Sequence, residues 1–165
     1  MEILDLYSID GNKLNKTHIR GEPLKENEYC IAVDVWIKND KEQILLTQRH
    51  SSKIYPMKWE CTSGFIKTGE DSFSGALREV QEEIGIKLEK SDGRKIHKII
   101  RYNKNLIFDI FLFEKNIDIE KTKLQKEEVI NIKWVEKTAL KEMFQRDEMV
   151  EPLDYICELI DKKIV

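Results

Sequence analysis

The sequence predicts an α+β fold in which helices cover a mixed central β-sheet. Strand-like runs rich in β-branched and aromatic residues lie on both sides of a strongly two-sided helical segment, 71–84, and further helical segments follow near the C-terminus. The 165 residues suit one domain with a real core, and no repeat, low-complexity tract or linker divides them. We therefore expect a single domain over 1–165, with an N-terminal extension at 1–28, a core at 29–136 and helices at 137–165.

The strand-like runs predict an N-terminal extension, two antiparallel pairs and one last strand. EILDLY at 2–7, the turn IDGNK and a polar stretch to Glu28 predict a strand, a tight turn and a loop excursion, together a hairpin-like extension. The runs YCIAVDVWI and QILLTQR flank NDKE, so we expect an antiparallel pair over 29–37 and 43–49. KIIRYN and LIFDIFLFE predict a second pair, and EVINIKWVE at 128–136 predicts the last strand.

Three helices are predicted, and the first has two unlike faces. Asp71 or Ser72 can cap it, and Gly85 stands where a left-handed residue would end it. At about 100° per residue, apolar side chains would form one stripe and glutamates would lie roughly opposite. The stripe contains Phe73, Leu77, Val80 and Ile84, and the glutamates are Glu79, Glu82 and Glu83. KTALKEMFQ predicts a short second helix, and EPLDYICELIDKK predicts a third that begins near Pro152.

Composition narrows the class of protein. A net charge of -3, with 41% hydrophobic and 36% charged residues, is typical of a globular protein and offers no basic excess for a nucleic acid polymer. The longest apolar runs, such as 106–113, fall short of the roughly 20 residues that span a bilayer, and the N-terminus lacks the basic region of a signal peptide. We therefore expect a cytoplasmic protein. Three cysteines, Cys30, Cys61 and Cys157, without a CxxC pair favour free thiols over disulfides or structural zinc.

The three glutamates repel one another unless solvent or a cation offsets their charge. Their spacing of i, i+3 and i+4 places the carboxylates on one helix face. A solvated face usually has lysines four residues further on, but Glu83 and Ile86 follow Glu79 and Glu82 at that distance. A hard cation such as Mg²⁺ or Mn²⁺ is the alternative, because carboxylate oxygens suit it and it bridges to phosphates. The cluster alone leaves both interpretations open.

The residues around the cluster favour the metal. From residue 64 the chain reads GFIKTGEDSFSGALREVQEEIGI, with Gly64 and Glu70 at fixed distances before Arg78. This segment resembles the Nudix box, the signature of the Nudix hydrolases, at every defined position. The preceding LLTQRHSSKIYPMKWECTSG is similar to the strand and loop that lead into the box in that family. The resemblance implies an α/β/α sandwich, with the family's order of elements over 29–136.

The resemblance also implies a reaction and a set of metal ligands. Nudix enzymes cleave a diphosphate linkage, typically in a nucleoside diphosphate joined to another group X, and a divalent cation supplies charge neutralisation. Matched position by position, Glu79, Glu82 and Glu83 would bind Mg²⁺ or Mn²⁺. Glu70 and the carbonyl of Gly64 would contribute further or indirect contacts. Arg78 would orient a glutamate with its rigid guanidinium fork and would not touch substrate.

The general base and the substrate contacts are less closely specified. Glu82 or Glu83 is the first choice as base, and Glu127 and Glu128 are the later candidates. Arg49 and Glu128 are the expected substrate contacts, although a strand-end arginine and a solvated loop explain them equally well. The expected partner is a small organic pyrophosphate, without nucleic acid or membrane, and many relatives form homodimers. The identity of X is not written in any motif of the sequence.

Two other functions are compatible with parts of the pattern. The long lead-in looks like the Nudix branch that includes isopentenyl-diphosphate isomerase, but that enzyme's cysteine and metal histidine positions fall here on Ser63 and Phe65. Cys30 stands where another histidine is expected, and Cys61 lies two positions early on the same strand face. A non-catalytic nucleotide-binding module would be expected to lose carboxylates of the box, all of which this chain retains. Hydrolysis is therefore the preferred prediction.

Overall fold

The chain begins with a two-stranded antiparallel sheet. In the computed structural model, which describes residues 2–165, β1 (Ile3–Tyr7) pairs with β2 (Lys13–Ile19). The expected hairpin-like extension is confirmed, although the polar stretch that was expected as a loop is in part a strand. None of the seven residues of β2 is buried, so the sequence KLNKTHI has no apolar alternation that would reveal a strand.

The remaining strands form one seven-stranded mixed sheet. Its hydrogen-bonded order is β5-β4-β3-β8-β7, with β6 paired to β3 and β9 paired to β4. The strands are β3 (Cys30–Lys38), β4 (Ile44–Arg49), β5 (Trp59–Glu60), β6 (Thr62–Phe65), β7 (Gly93–Arg101), β8 (Leu106–Glu114) and β9 (Val129–Val135).

The sheet divides between β3 and β4. These strands were expected to pair along their length, but they meet only at Lys38 and Ile44. β3 instead runs parallel to β8 from Cys30 to Lys38 and pairs with β6 on its other side. The short segment 59–65 therefore crosses from β4 to β3, and this crossing brings Ser63 and Gly64 into the gap.

Helices cover both faces of the sheet, so the predicted α/β/α sandwich is confirmed. α1 (Ser72–Ile84) covers one face, and α2 (Lys137–Gln145) and α3 (Tyr155–Asp161) cover the other. Alternate side chains of β3 serve the two cores: Val33 and Val35 pack towards α1, whereas Ala32 and Trp36 pack towards α2 and α3. None of the helices in residues 2–165 is both long and apolar enough to cross a bilayer.

The C-terminal helix is shorter than predicted. Residues Glu151–Leu153, including Pro152, form a single 3-10 turn, and α3 follows it for seven residues. Pro152 is tolerated in a first turn, where a backbone N–H has no helical partner, and neither the turn nor α3 has a side-chain cap. Lys163, with φ of 55°, closes the helix in the left-handed region.

α1 begins and ends as the sequence predicts, but its buried face is wider than the apolar stripe. Asp71 accepts a hydrogen bond from the Ser74 N–H at 2.6 Å, and Gly85 has φ of 71°. Glu83 is nevertheless only 8% exposed. Backbone hydrogen bonds from Lys123 and Gln125 reach the last turn of the helix, so a loop covers this side. The expected separation of an apolar face from a charged face therefore fails at Glu83.

The N-terminal hairpin is fastened to the loop that precedes α1. The buried carboxylate of Asp5 accepts hydrogen bonds from the Gly69 N–H at 2.9 Å and from Lys13 Nζ at 2.6 Å. Leu4 and Leu6 bury their side chains against Cys30. The hairpin thus lies beside the Nudix-like segment, and Arg20, the residue after β2, reaches the gap in the sheet.

Candidate active site

Gly64 brings strand β6 into direct contact with helix α1. A Cβ built on Gly64 would lie 2.0 Å from Cδ of Glu79 and 2.1 Å from its Oε1. No side chain larger than hydrogen fits there while Glu79 holds its position. Glycine is therefore required at residue 64 for this close approach, and Gly64 and Glu79 line the same cavity.

Arg78 fixes the orientation of the glutamates on both sides of it. Its Nε and Nη2 donate to the two carboxylate oxygens of Glu70, at 2.7 and 2.9 Å. Its Nη1 donates to Glu79 at 2.8 Å and to Glu82 at 3.0 Å, and Nη2 also reaches the Phe65 carbonyl at 2.9 Å. A rigid guanidinium fork can hold several carboxylates in this way, and the orienting role of Arg78 stays a prediction.

The helix glutamates and Gly64 line one cavity of about 130 Å³, which we call the carboxylate pocket. It brings together most of the residues expected to bind metal or substrate: Gly64, Glu79, Glu82, Glu83 and Glu128. Glu70 is not among its lining residues, because both of its oxygens are bound to Arg78. The sequence pattern is thus reproduced as a spatial cluster, with Glu70 behind it.

Burial disfavours the charged form of several acids in and beside the carboxylate pocket. Burial, together with the charges of Glu60 and Glu79, raises the pKa of Glu83 well above its ordinary value. Burial also raises the pKa of Glu79, and it raises that of Glu60, which lines an adjoining cavity, to about 7 despite an ion pair with Arg49. Crowded, desolvated carboxylates of this kind bind protons or cations readily.

The residues present fit a hard divalent cation by their chemistry. Glu79, Glu82 and Glu83 offer carboxylate oxygens into one cavity, and the absence of a side chain at Gly64 lets the Glu79 carboxylate approach the β6 backbone there. Within residues 2–165, no three acidic, histidine or cysteine side chains are already grouped as a metal cage. Arg78 explains this in part, since its Nη1 holds one oxygen each of Glu79 and Glu82.

Three basic side chains face the carboxylates across the gap. Lys53 forms an ion pair with Glu128, and Arg20 stacks its guanidinium 4.7 Å from the centre of the Phe65 ring. Both line the carboxylate pocket, and neither belongs to a sequence motif. Arg49 donates to both oxygens of Glu60 and to the Ile54 carbonyl, so most of its donors are committed. The position of Arg20 could not be predicted because the sequence of β2 resembles a polar loop.

A second cavity of about 210 Å³, the outer pocket, adjoins the carboxylate pocket. Ser63 lines both of them, as well as a third cavity that shares walls with each. Phe108 lies in the wall of the outer pocket, whereas Phe111 and Phe113 are core residues with at most 1% exposure. The structure therefore contains a continuous cleft along the gap in the sheet.

The cysteines lie away from the carboxylate pocket. Cys61 is 1% exposed in the core shared with α2 and α3, and burial raises the pKa of its thiol well above the ordinary value. Ser63, not a cysteine, faces the cleft and donates to Asp34 at 2.7 Å. A shift of two positions along the strand therefore does not bring Cys61 to the site of an isomerase cysteine.

Glu60 gives the metal-free protein a distinctive pH dependence. Its pKa is about 7 in the folded chain and 4.5 ordinarily, so the folded state binds more protons between these values. The free energy of unfolding should therefore fall from pH 4.5 to 7, by on the order of 3 kcal/mol for this group. Urea unfolding in EDTA measures it, and Glu60→Gln should flatten part of the slope. An unchanged slope in that variant would contradict the assignment.

Comparison with known proteins shows which family this chain is similar to. A NUDIX domain matches residues 28–155. An uncharacterized Nudix hydrolase of Listeria monocytogenes is 33% identical over 165 residues, which cover 99% of this chain and 96% of that protein.

Two solved structures share the fold. A Deinococcus radiodurans protein superposes with a TM-score of 0.76 at 16% identity, over 98% of each chain. A MutT protein of Methanosarcina mazei gives a TM-score of 0.69 at 25% identity, over 85% of this chain and 98% of that one. With the domain match and the Listeria relative, these findings establish that the chain belongs to the Nudix family of hydrolases, which act on pyrophosphate bonds.

Proposed function

We propose that this protein hydrolyses the diphosphate linkage of a nucleoside diphosphate joined to X, or of a similar organic pyrophosphate, with Mg²⁺ or Mn²⁺. The observation that carries the proposal is the carboxylate pocket, in which Gly64 and three glutamates of α1 face Arg20 and Lys53. A diphosphate is an anion that can lie between a cation bound to the glutamates and the basic side chains. The substrate is a small molecule of the cytoplasm.

Each residue of the pocket has a proposed part. Glu79, Glu82, Glu83 and the Gly64 carbonyl would hold the metal ion, which supplies charge neutralisation at the diphosphate when it is bound. Arg78 and Glu70 keep Glu79 and Glu82 in place. The guanidinium of Arg20 and the ammonium of Lys53 bind phosphate oxygens on the other side. Arg49 contributes through the N–H groups that Glu60 leaves free.

Glu83 is the better candidate for the general base. Glu82 is about half exposed, and it is already paired with Arg78 at 3.0 Å and with Lys67 at 3.3 Å. Glu83 is buried, and no Lys, Arg or His nitrogen in residues 2–165 lies within 4.0 Å of its carboxylate. Its raised pKa supports a role in taking a proton from the attacking water. Glu128 is engaged by Lys53, which supports a substrate-side role instead.

A substrate panel with and without metal tests the proposed function. Nucleotide sugars, dinucleoside polyphosphates, dinucleotides and oxidised nucleotides are incubated with Mg²⁺ or EDTA, and phosphate-containing products are separated by chromatography. We expect metal-dependent cleavage of at least one class, and Glu82→Gln should lower kcat by about 100-fold or more. Glu142→Gln is the matched control, since this exposed glutamate of α2 lies outside the carboxylate pocket.

Two results would refute the hydrolase proposal. One is turnover of no compound in the panel, and the other is equal activity of the wild type and Glu82→Gln. Conversion of isopentenyl diphosphate to its isomer would show a different reaction in the same fold. Tight nucleotide binding without any turnover would show a binding module.

A further inference from the structure

The outer pocket carries positive charge that no carboxylate within residues 2–165 neutralises by direct contact. Its two acids are already engaged: Asp34 accepts hydrogen bonds from Ser63 and Tyr155, both at 2.7 Å, and Glu60 accepts two from Arg49. Arg101 and Lys104 also line the pocket, and no carboxylate oxygen lies within 4.0 Å of either cation. The charged side chains of this cavity that have no ion-pair partner are therefore the cations Arg101 and Lys104.

Arg101 is held in a fixed position despite having no acidic partner. Its guanidinium carbon lies 4.3 Å from the centre of the Phe108 ring, and its Nη2 donates to the Pro152 carbonyl at 2.7 Å. A guanidinium has five N–H donors, so several remain for a ligand. Arg101 also attracts the buried Asp34 at longer range, but hydroxyl groups already occupy both oxygens of that carboxylate. A rigid cation with unused donors is suited to bind an anion.

The other walls of the outer pocket are apolar. Ile54 and Tyr55 come from the loop between β4 and β5, and Val150 and Leu153 come from the segment before α3. Tyr55 has φ of 58°, a left-handed conformation that costs a non-glycine residue energy and recurs at ligand sites. Ile54 is 78% exposed at the rim. The pocket thus offers contact to the body of a ligand beside its cations.

We propose that the outer pocket receives the X group of the substrate, and that Arg101 and Lys104 select an X group with an anion of its own, a phosphate or a carboxylate. This inference rests on the proposed function, because Ser63 joins the outer pocket to the carboxylate pocket where the diphosphate is placed. The preferred substrates then carry charge at both ends: the diphosphate beside the glutamates, and a second anion beside Arg101.

Matched substrate pairs that differ only in this anion test the proposal. ADP-ribose 1″-phosphate and ADP-ribose differ by one phosphate, which lies on the X group. UDP-glucuronate and UDP-glucose differ by a carboxylate, so the pairs also separate the two kinds of anion. For at least one pair, kcat/KM should favour the charged member by about tenfold or more, as a charge-assisted hydrogen bond would produce.

Variants of the two cations connect that preference to the outer pocket. Arg101→Gln and Lys104→Gln should each reduce the ratio of kcat/KM within the preferred pair towards one, whereas Arg101→Lys should keep part of it. Lys104 is exposed, so its variant is informative even if loss of the Arg101 contacts disturbs folding. Arg94→Gln is the matched control, because Arg94 lies on the same strand but 3.7 Å from Glu114 and outside the pocket.

The outcomes separate this inference from the proposed function. Turnover of the pairs with equal kcat/KM for both members overturns the inference and leaves hydrolysis standing. So does a preference that survives in both glutamine variants. If no pair is cleaved, calorimetry with the Glu83→Gln protein and Mg²⁺ decides: tighter binding of charged members, lost in Lys104→Gln, supports the outer pocket, and equal or undetectable binding overturns it.

Discussion

Glu83→Gln should reduce kcat by about 1000-fold and at the same time stabilise the metal-free protein at pH 8. The side chain is 8% exposed and lies near Glu60 and Glu79. An isosteric amide preserves its shape but can neither accept a proton from water nor contribute negative charge to a metal ion. Loss of function combined with a gain in stability is the signature of a group kept for chemistry at the expense of the fold.

The sign of the stability change follows from proton binding. The pKa of Glu83 is raised in the folded chain by burial and by the neighbouring acids, so the folded state binds more protons than the unfolded state above about pH 4.5. Stability due to this group is therefore fully present at low pH and is lost as pH rises towards the folded pKa. The glutamine variant has no such loss, and its advantage over the wild type should grow from pH 5 to pH 8.

Urea unfolding in EDTA at several pH values measures this advantage, and steady-state assays with Mg²⁺ measure kcat. Mg²⁺ should stabilise the wild type more than the variant, because ligand binding to the folded state raises the free energy of unfolding. Glu142→Gln is the matched control, since Glu142 is an exposed helix glutamate on α2 whose ion-pair partner is Arg146. A variant that retains activity, or that is less stable than the wild type at pH 8, would contradict the role given to Glu83.

The sequence predicted the cluster well because the Nudix-like segment is local. Gly64, Glu79, Glu82 and Glu83 lie within 20 residues of one another, and helical geometry fixes the spacing of the glutamates. The capping positions Asp71 and Gly85 were equally predictable, because caps depend on neighbouring residues alone. Local rules were therefore sufficient for the carboxylate side of the cleft.

The opposite side could not be predicted because it is assembled from distant parts of the chain. Arg20, Lys53 and Arg101 come from the N-terminal hairpin, the loop after β4 and the end of β7. No short-range pattern joins them. The division of the sheet between β3 and β4 was missed for the same reason: a hairpin is the nearest pairing in sequence, but β8 offers β3 a longer partner strand that is buried from residue 107 to residue 113. Pairing over nine residues, most of them buried, outweighs proximity along the chain.

Gly64→Ala should lower kcat/KM by about 100-fold or more and destabilise the protein by about 1 to 3 kcal/mol. The added methyl group would lie 2.0 Å from Cδ of Glu79, closer than any contact can be. Glu79 cannot simply turn away, because Arg78 holds its Oε1 at 2.8 Å. Either that ion pair breaks or β6 shifts from its pairing with β3, and both changes displace a proposed metal ligand.

Two further variants test whether displacement of the Glu79 carboxylate, and not crowding in general, causes the loss of activity in Gly64→Ala. Gly75→Ala adds a methyl group on the same helix 2.3 Å from Cδ1 of Ile66, the free end of a flexible side chain, and it replaces a helical glycine. It should keep nearly full activity.

Glu79→Asp in the Gly64→Ala background shortens the obstructing side chain by one methylene and should recover most of the stability. Activity should stay low, because the shorter carboxylate is withdrawn from the pocket. Recovery of full activity in the double variant would show that Glu79 is not a metal ligand, and an active Gly64→Ala protein would show that the close approach of β6 to α1 is dispensable.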